Sequence, residues 1–422
     1  MLRTGMTIIG LLIAAGIWSQ PLINYQSVRS MSVREVEAKY RRAFGKEALE
    51  LKAPIRLSKV VYASRDASGN QATLSGLVAM PEGGAPKGLV LYFHGTTADR
   101  EFVPSRYPKR GHPYEAELAI LGFAAHGYAV AMPDYIGLGD HKGVHPYPQG
   151  KVNAWSGIDL VSQVRSSTGG EIGPDLFVTG YSEGGAVAMW AVRMIEEQFP
   201  AWKELKKAAP ISGPYNLSGV QARGMLKNHS NPIWLGASVY IVAYTAYGIQ
   251  KSVPGIDLRD YFVHSFATYI PFVLEQGLDD VRIGRKLSLK AWQIGEFVSL
   301  RKILKHSFQD ALREHDTTDP MVAVLAANDC HDWAPKTPMA LYAVEDDFLV
   351  PKENALVAVE AMRKRGVPPD QVWAYVEPGR KYNHLDCVAP GVQFARRYFE
   401  GEPVPGTLPP VLSISESNDV VR

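Results

Sequence analysis

The sequence predicts an α/β fold: a mostly parallel sheet flanked by helices, with an inserted helical cap. Three observations predict it. Short apolar runs at 88–95 (GLVLYFHG), 127–135 (GYAVAMPDY), 175–182 (DLFVTGYS) and 206–213 (KKAAPISG) are separated by longer helical or loop stretches. Strands buried on both faces have this composition, and parallel neighbours then need crossover helices. The rhythm breaks over 217–330, which is mostly helical in pattern and rich in Tyr and Phe, and resumes with TPMALYAVE (337–345) and QVWAYVEP (371–378). Last, GYSEGG (180–185) lies directly between one buried strand and an amphipathic helix.

The elements follow in order. Residues 1–20 carry one Arg and then 13 residues of mostly apolar character, Met6 to Trp18. A membrane-spanning helix needs ~20, so the run suits a signal peptide, with an uncleaved N-terminal membrane anchor as the alternative. Either sends the rest of the chain out of the cytoplasm, as a secreted or periplasmic protein. Residues 21–55 read as a helical lead-in, built on the charged stretch 31–52. The core's first part, 56–216, opens with LSKVVYAS and ATLSGLVAMP around RDASGNQ, a hairpin pattern. The cap occupies 217–330 and the second part of the core 331–400. Residues 401–422 are Pro-rich and then polar, a loose tail.

Composition excludes several classes. Of 422 residues 46% are hydrophobic, so the bulk of the chain can form cores. Lys+Arg 45 against Asp+Glu 43 leaves a net charge of +2, too weak a field to hold nucleic acid. Two cysteines, Cys330 and Cys387, rule out a disulfide scaffold and a Cys-rich zinc site. An oxidising compartment would permit one bridge between them, but sequence does not set their Cα separation.

The chemistry starts at Ser182. On a tight strand-to-helix turn its hydroxyl is presented at a helix N-terminus, where developing negative charge is favoured. A Ser hydroxyl needs a base, and the base an orienting carboxylate. His384, in KYNHLDC just past the last strand, is the candidate base. His306 and His315 fall in helical cap sequence, and His331 precedes a core strand. Asp346 and Asp347 compete for the acid. The Asp-x-x-Val-Pro form, with Val-Pro leading into the next helix, selects Asp347. Asp386 is too near His384 in sequence to fold back onto it. Oxyanion donors are expected from the N–H of Glu183 and from the loop after strand 88–94, there the N–H of Thr96, with a Thr96 or Thr97 hydroxyl as a further donor. His94 reads as a structural hydrogen-bonding residue. Asp134, Asp140, His141 and His145 are dense enough to raise a metal, but Gly and Pro prevent the helix that an H-x3-H pair needs. The segment 133–150 is read as a rigid loop, and no metal or cofactor is expected.

FHGTT, PDYIGLG with the following HPY, GYSEGG, the 332–351 stretch leading to EDDFLVP, and NHLDC together resemble the α/β-hydrolase superfamily. Within it they resemble the secretory lipase family, the lipase A type of yeast and related bacterial esterases. The resemblance implies secreted carboxylic-ester hydrolysis under a helical cap, with Ser182 as nucleophile, Asp347 as acid and His384 as base. A small ester or lipid is the implied partner, with transient contact to a lipid surface. An acyltransferase or peptidase with the same three residues, or an envelope binding protein without catalysis, stay open. The fold does not fix the substrate.

Overall fold

The computed structural model describes residues 24–45, 49, 53–108, 114–227, 232–295, 299–379 and 382–405. The leader read at 1–20 and most of the tail at 401–422 lie outside the described residues. Among those described, one nine-stranded sheet runs through the molecule. Its strands are β1 (Asn24–Met31), β2 (Ile55–Arg65), β3 (Gln71–Pro81), β4 (Leu89–Phe93), β5 (Ala129–Pro133), β6 (Leu176–Tyr181), β7 (Leu205–Ile211), β8 (Met339–Val344) and β9 (Val372–Glu377). The spatial order is β1-β2-β3-β5-β4-β6-β7-β8-β9. The first three strands are antiparallel to one another, β3 is antiparallel to β5, and all pairs from β5 to β9 are parallel. The β2–β3 hairpin turns where Asp66 Oδ1 accepts from the N–H groups of Ser68 and Asn70 at 2.9 and 2.8 Å, a local bond that favours a turn over continued strand.

The helices are α1 (Val33–Phe44), α2 (Tyr114–Phe123), α3 (Gly150–Thr168), α4 (Glu183–Gln198), α5 (Ala222–Met225), α6 (Pro232–Ser252), α7 (Leu258–Tyr261), α8 (His264–Ala267), α9 (Tyr269–Leu274), α10 (Asp280–Gln293), α11 (His306–Glu314), α12 (Pro320–Ala327), α13 (Glu353–Lys364) and α14 (Val388–Glu400). Period-two alternation sorts the strand side chains between two layers. Leu89, Leu91 and Phe93 pack with α3, α4 and α13, while Val90 and Tyr92 pack with α1, α2 and α14. All five are fully buried, each contributing about 1.5–3 kcal/mol of hydrophobic stabilisation. Between β7 and β8 the chain leaves the sheet, and α5–α12 close around a third core that includes Val239, Phe262, Phe266 and Leu287. No helix of the described residues is long and apolar enough to cross a membrane.

One expectation is corrected, and one open question is answered. The lead-in 21–55 is not helical throughout: β1 precedes α1 and joins the sheet edge along β2, with Asn24 opposite Val61 and Met31 opposite Ile55. Nearly every β1 side chain is exposed, so the strand carries no alternating pattern to betray it. α1 itself starts where Ser32 Oγ accepts from Glu35 N–H and buries Val36 and Tyr40, so it is a packed helix. The question left open by the sequence was the pairing of the cysteines. Both are free and buried. Cys330 packs in the cluster with α3, α4 and α13, and Cys387 in the cluster with α1, α2 and α14.

Candidate active site

The carboxyl ends of β4, β6, β8 and β9 meet at one edge of the sheet, where side chains from distant parts of an open α/β chain converge. Ser182, between β6 and α4, has φ 57 and ψ −119, a left-handed conformation costing on the order of 1–3 kcal/mol. The surroundings impose it. Ser182 N–H donates to Ile211 O of β7 at 2.9 Å, and its carbonyl accepts from Gly185 N–H at 2.9 Å. The elbow is also tightly wedged. A Cβ on Gly184 would sit 2.0 Å from Phe93 O, and one on Gly180 2.3 Å from Gly184 O. Only glycine fits at either position.

His384 Nε2 lies 2.9 Å from Ser182 Oγ, and its Nδ1 lies 2.7 Å from Asp347 Oδ2. The Asp347 and His384 side chains are 1% and 3% exposed, so this chain of bonds runs out of water, where it is electrostatically stronger. Asp347 is fixed from behind: Oδ1 accepts from Leu349 N–H at 3.0 Å and Val350 N–H at 2.7 Å. Asp346 is absent from these contacts. The loop bearing His384 is held by its own carbonyl, which accepts from Tyr181 O–H at 2.6 Å and the Cys387 thiol at 3.1 Å. Burial pushes the Cys387 thiol up. Cys387 therefore stays a neutral neighbour, although it forms a compact cluster with Asp347 and His384. Both imidazole nitrogens and both carboxylate oxygens in that cluster are engaged in hydrogen bonds within the protein.

The loop after β4 brings Thr96 to the same edge. Gly95 N–H is taken by the Glu115 carboxylate, 3.0 Å from each oxygen. Thr97 Oγ1 donates to Asp280 Oδ2 at 2.6 Å, so its hydroxyl is committed. The Thr96 hydroxyl is buried beside the Tyr147 hydroxyl, and among the described residues no bond takes the Thr96 N–H. Loss of hydration pushes the Glu115 carboxyl up to about 8, against the pull of Gly95 N–H and Tyr92 O–H. Glu183 starts α4, and its side chain turns inward. Oε1 meets His145 Nε2 at 2.9 Å and accepts from Asn153 Nδ2 at 3.0 Å. His94 stacks on Tyr135 with centroids 4.1 Å apart and faces Gly95 O through Nδ1 at 2.8 Å. Its burial lowers its pKa, which suits a neutral structural ring.

The loop 133–150 is braced internally. Asp134 accepts from Ser75 O–H and Ser105 N–H. Asp140 pairs with Lys59 and Arg106. His141 Nδ1 accepts from Gly137 N–H, and His145 Nδ1 faces Ile136 O. These four do not converge on a common point. A second Ser–His contact, Ser218 Oγ to His315 Nε2 at 2.8 Å, lies in the cap. Ser218 is fully buried, and Asp329 meets its hydroxyl (2.6 Å) rather than the imidazole, so the group fastens the segment after β7.

From Ser182 and His384 a narrow cavity of about 80 Å3 runs into the cap. Apart from Tyr147, Gln221 and Thr245 its walls are apolar, among them Met225, Val242, Phe262, Leu304, Phe308 and Leu325. Sequence reading missed three side chains that hold the site: Tyr181, Glu115 and Asp280. Glu115 and Asp280 sit in first helical turns, where acids are common for dipole reasons alone, so no signal in the sequence marked them.

No family model matches the chain, and no curated protein matches it in sequence. Solved structures do. A candidate hydrolase of Legionella pneumophila superposes with a TM-score of 0.77 at 25% identity, covering 90% of this chain and 98% of that one. The rice cell wall degrading esterase LipA of Xanthomonas oryzae gives 0.75 at 21% identity, covering 91% and 99%. Candida antarctica lipase A gives 0.63 at 14% identity, covering 93% and 83%. The chain has the α/β-hydrolase fold. Within that fold its architecture is similar to that of lipase A-type enzymes.

Proposed function

We propose that this protein is a serine hydrolase that cleaves carboxylic esters through an acyl-enzyme on Ser182. The observation that carries the reading is the bonded series Ser182–His384–Asp347 at the mouth of an apolar cavity. The structurally similar LipA and lipase A are an esterase and a lipase by name, which supports the same direction. His384 Nε2 would take the Ser182 proton as Oγ attacks the ester carbonyl, and return it to the leaving alcohol. Asp347 would hold the proton on Nδ1 and stabilise the imidazolium. The oxyanion would be received by the N–H groups of Glu183 and Thr96, with the Thr96 hydroxyl as a third donor. Water activated by the same imidazole would release the acid. A fluorophosphonate probe and an ester panel of increasing acyl length test the reading. Wild-type protein that takes no label and turns over no ester ends it.

The cavity walls favour an apolar acyl group, which enters the cap from Ser182. Val242 is only partly buried on the α6 wall, so Val242→Trp should narrow the channel without overpacking the cap core. It is expected to cut kcat/KM for long-chain p-nitrophenyl esters by about 10–100-fold and to spare the acetate. Equal losses on both would place the acyl group elsewhere. The leader sequence supports action outside the cytoplasm.

A lipid-surface partner fits the outer face of α9 and α10. Phe272, Val281 and Leu289 are 60%, 81% and 51% exposed there. Residues 281–293 carry Arg282, Arg285, Lys286 and Lys290 and no acid. Exposed apolar groups among cations suit an anionic bilayer. The protein should co-sediment with anionic but not zwitterionic vesicles, and Leu289→Asp with Phe272→Asp should abolish this. Equal binding to both vesicle types, no binding, or self-association through this face counts against it.

A further inference from the structure

The cap does more at this site than wall a cavity. The loop 94–98 that would supply the second oxyanion donor is gripped from two sides. From the core, Glu115 takes Gly95 N–H, and Tyr135 O–H donates to His94 O at 2.8 Å. From the cap, Asp280 at the start of α10 accepts from Thr97 O–H at 2.6 Å, from Ala98 N–H at 2.8 Å and from Tyr240 O–H at 2.8 Å. Tyr244 O–H, also on α6, donates to Thr97 O at 3.0 Å. Thr96 is the one residue between these grips, and its N–H is left uncommitted among the described residues. A loop has no ladder of its own to fix it, so the direction of the Thr96 N–H is set by what holds its neighbours. Asp280 has its own helix to cap, yet the helix-capping bond is made by Asp279, whose side chain accepts from Arg282 N–H. The Asp280 carboxylate is therefore spent on the loop.

We infer that Asp280 is a positioning residue for catalysis: it fastens the oxyanion loop of the core to the cap and aims the Thr96 N–H at the reacting carbonyl. The inference rests on the ester-hydrolase reading. A purely architectural role, docking cap on core, would alter melting temperature and KM. A positioning role alters the step in which charge develops on the carbonyl oxygen, because a donor displaced by a fraction of an ångström stabilises the tetrahedral state less.

The test uses the full purified chain with p-nitrophenyl acetate, whose short acyl group makes little use of the cap cavity. Asp280→Ala should lower kcat by about 10–100-fold with KM within about twofold, and should weaken a trifluoromethyl ketone, which becomes tetrahedral on Ser182, by the same factor. Asp280→Asn should recover much of the loss, since an amide oxygen still accepts from Ala98 N–H and Tyr240 O–H. Should Asp280→Ala fail to fold, Thr97→Val removes one bond of the grip and should give a smaller loss in kcat and ketone affinity together. A kcat within twofold of wild type in a folded Asp280→Ala or Thr97→Val protein overturns the inference, as does a loss confined to KM. Wild-type protein without ester turnover would instead sink the reading it rests on, so the two failures are distinguishable.

Discussion

Ser182→Ala is expected to lower ester turnover by at least about 10^4-fold while the protein keeps its fold. The chemical loss is total at this atom, because among the described residues no other hydroxyl lies on His384 Nε2. What would survive is catalysis by the proposed oxyanion donors and by binding. The structural loss is small for a specific reason. The elbow is held by backbone bonds to Ile211 and Gly185, which alanine keeps. Alanine also has a Cβ, so the strain of φ 57 is the same before and after. The hydroxyl removed bonds only to the imidazole, worth about 1 kcal/mol of stability at most. Steady-state kinetics with an activated ester, a thermal melt and fluorophosphonate labelling check all three statements. Turnover within tenfold of wild type would remove Ser182 from the chemistry.

Asp347→Asn should be nearly as damaging, by about 10^4-fold in kcat, and the geometry says why. Oδ1 of Asp347 accepts two backbone N–H groups, from Leu349 and Val350. An asparagine must keep its oxygen there, because an amide NH2 cannot face two donors. Its NH2 is then forced toward His384 Nδ1. That nitrogen becomes an acceptor, the proton moves to Nε2, and the imidazole can no longer take a proton from Ser182. Asp346→Asn is the control and should leave kcat within about twofold, since that side chain stands outside the bonded series. If Asp346→Asn and Asp347→Asn exchanged these outcomes, the acid would be assigned to the wrong carboxylate. The melting temperature of Asp347→Asn should move by only a few degrees, because both backbone bonds persist.

Much of this arrangement was legible in the residues. Runs such as LVLYF and AVAMP are apolar at every position because both faces of those strands are covered, and that continuity is visible without coordinates. The elbow was legible because close approach of β4 and α4 demands glycine at fixed offsets from Ser182. The proximity of Asp347 and His384 to it followed from chain order and from the strands that precede them. What stayed hidden has physical reasons as well. β1 is an exposed edge strand whose hydrogen bonds, not its side chains, define it. The pairing of the cysteines stayed open because sequence spacing does not set the distance between two thiols. Glu115 and Asp280 reach a loop 20 and 183 residues away in the chain, and a carboxylate in a first helical turn looks the same whether or not it makes such a reach.

The direction of β1 has a consequence for how the molecule meets its surroundings. Asn24 stands level with Val61, which stands level with Ser75, one residue from the Gly76–Pro133 pair at the carboxyl end of β5. A polypeptide arriving at Asn24 thus comes in on the rim where the reaction would occur, about five strand spacings or ~24 Å along the sheet from β6. Asn24 and the Ser182 elbow thus stand on the same rim of the sheet, at opposite ends of its first six strands.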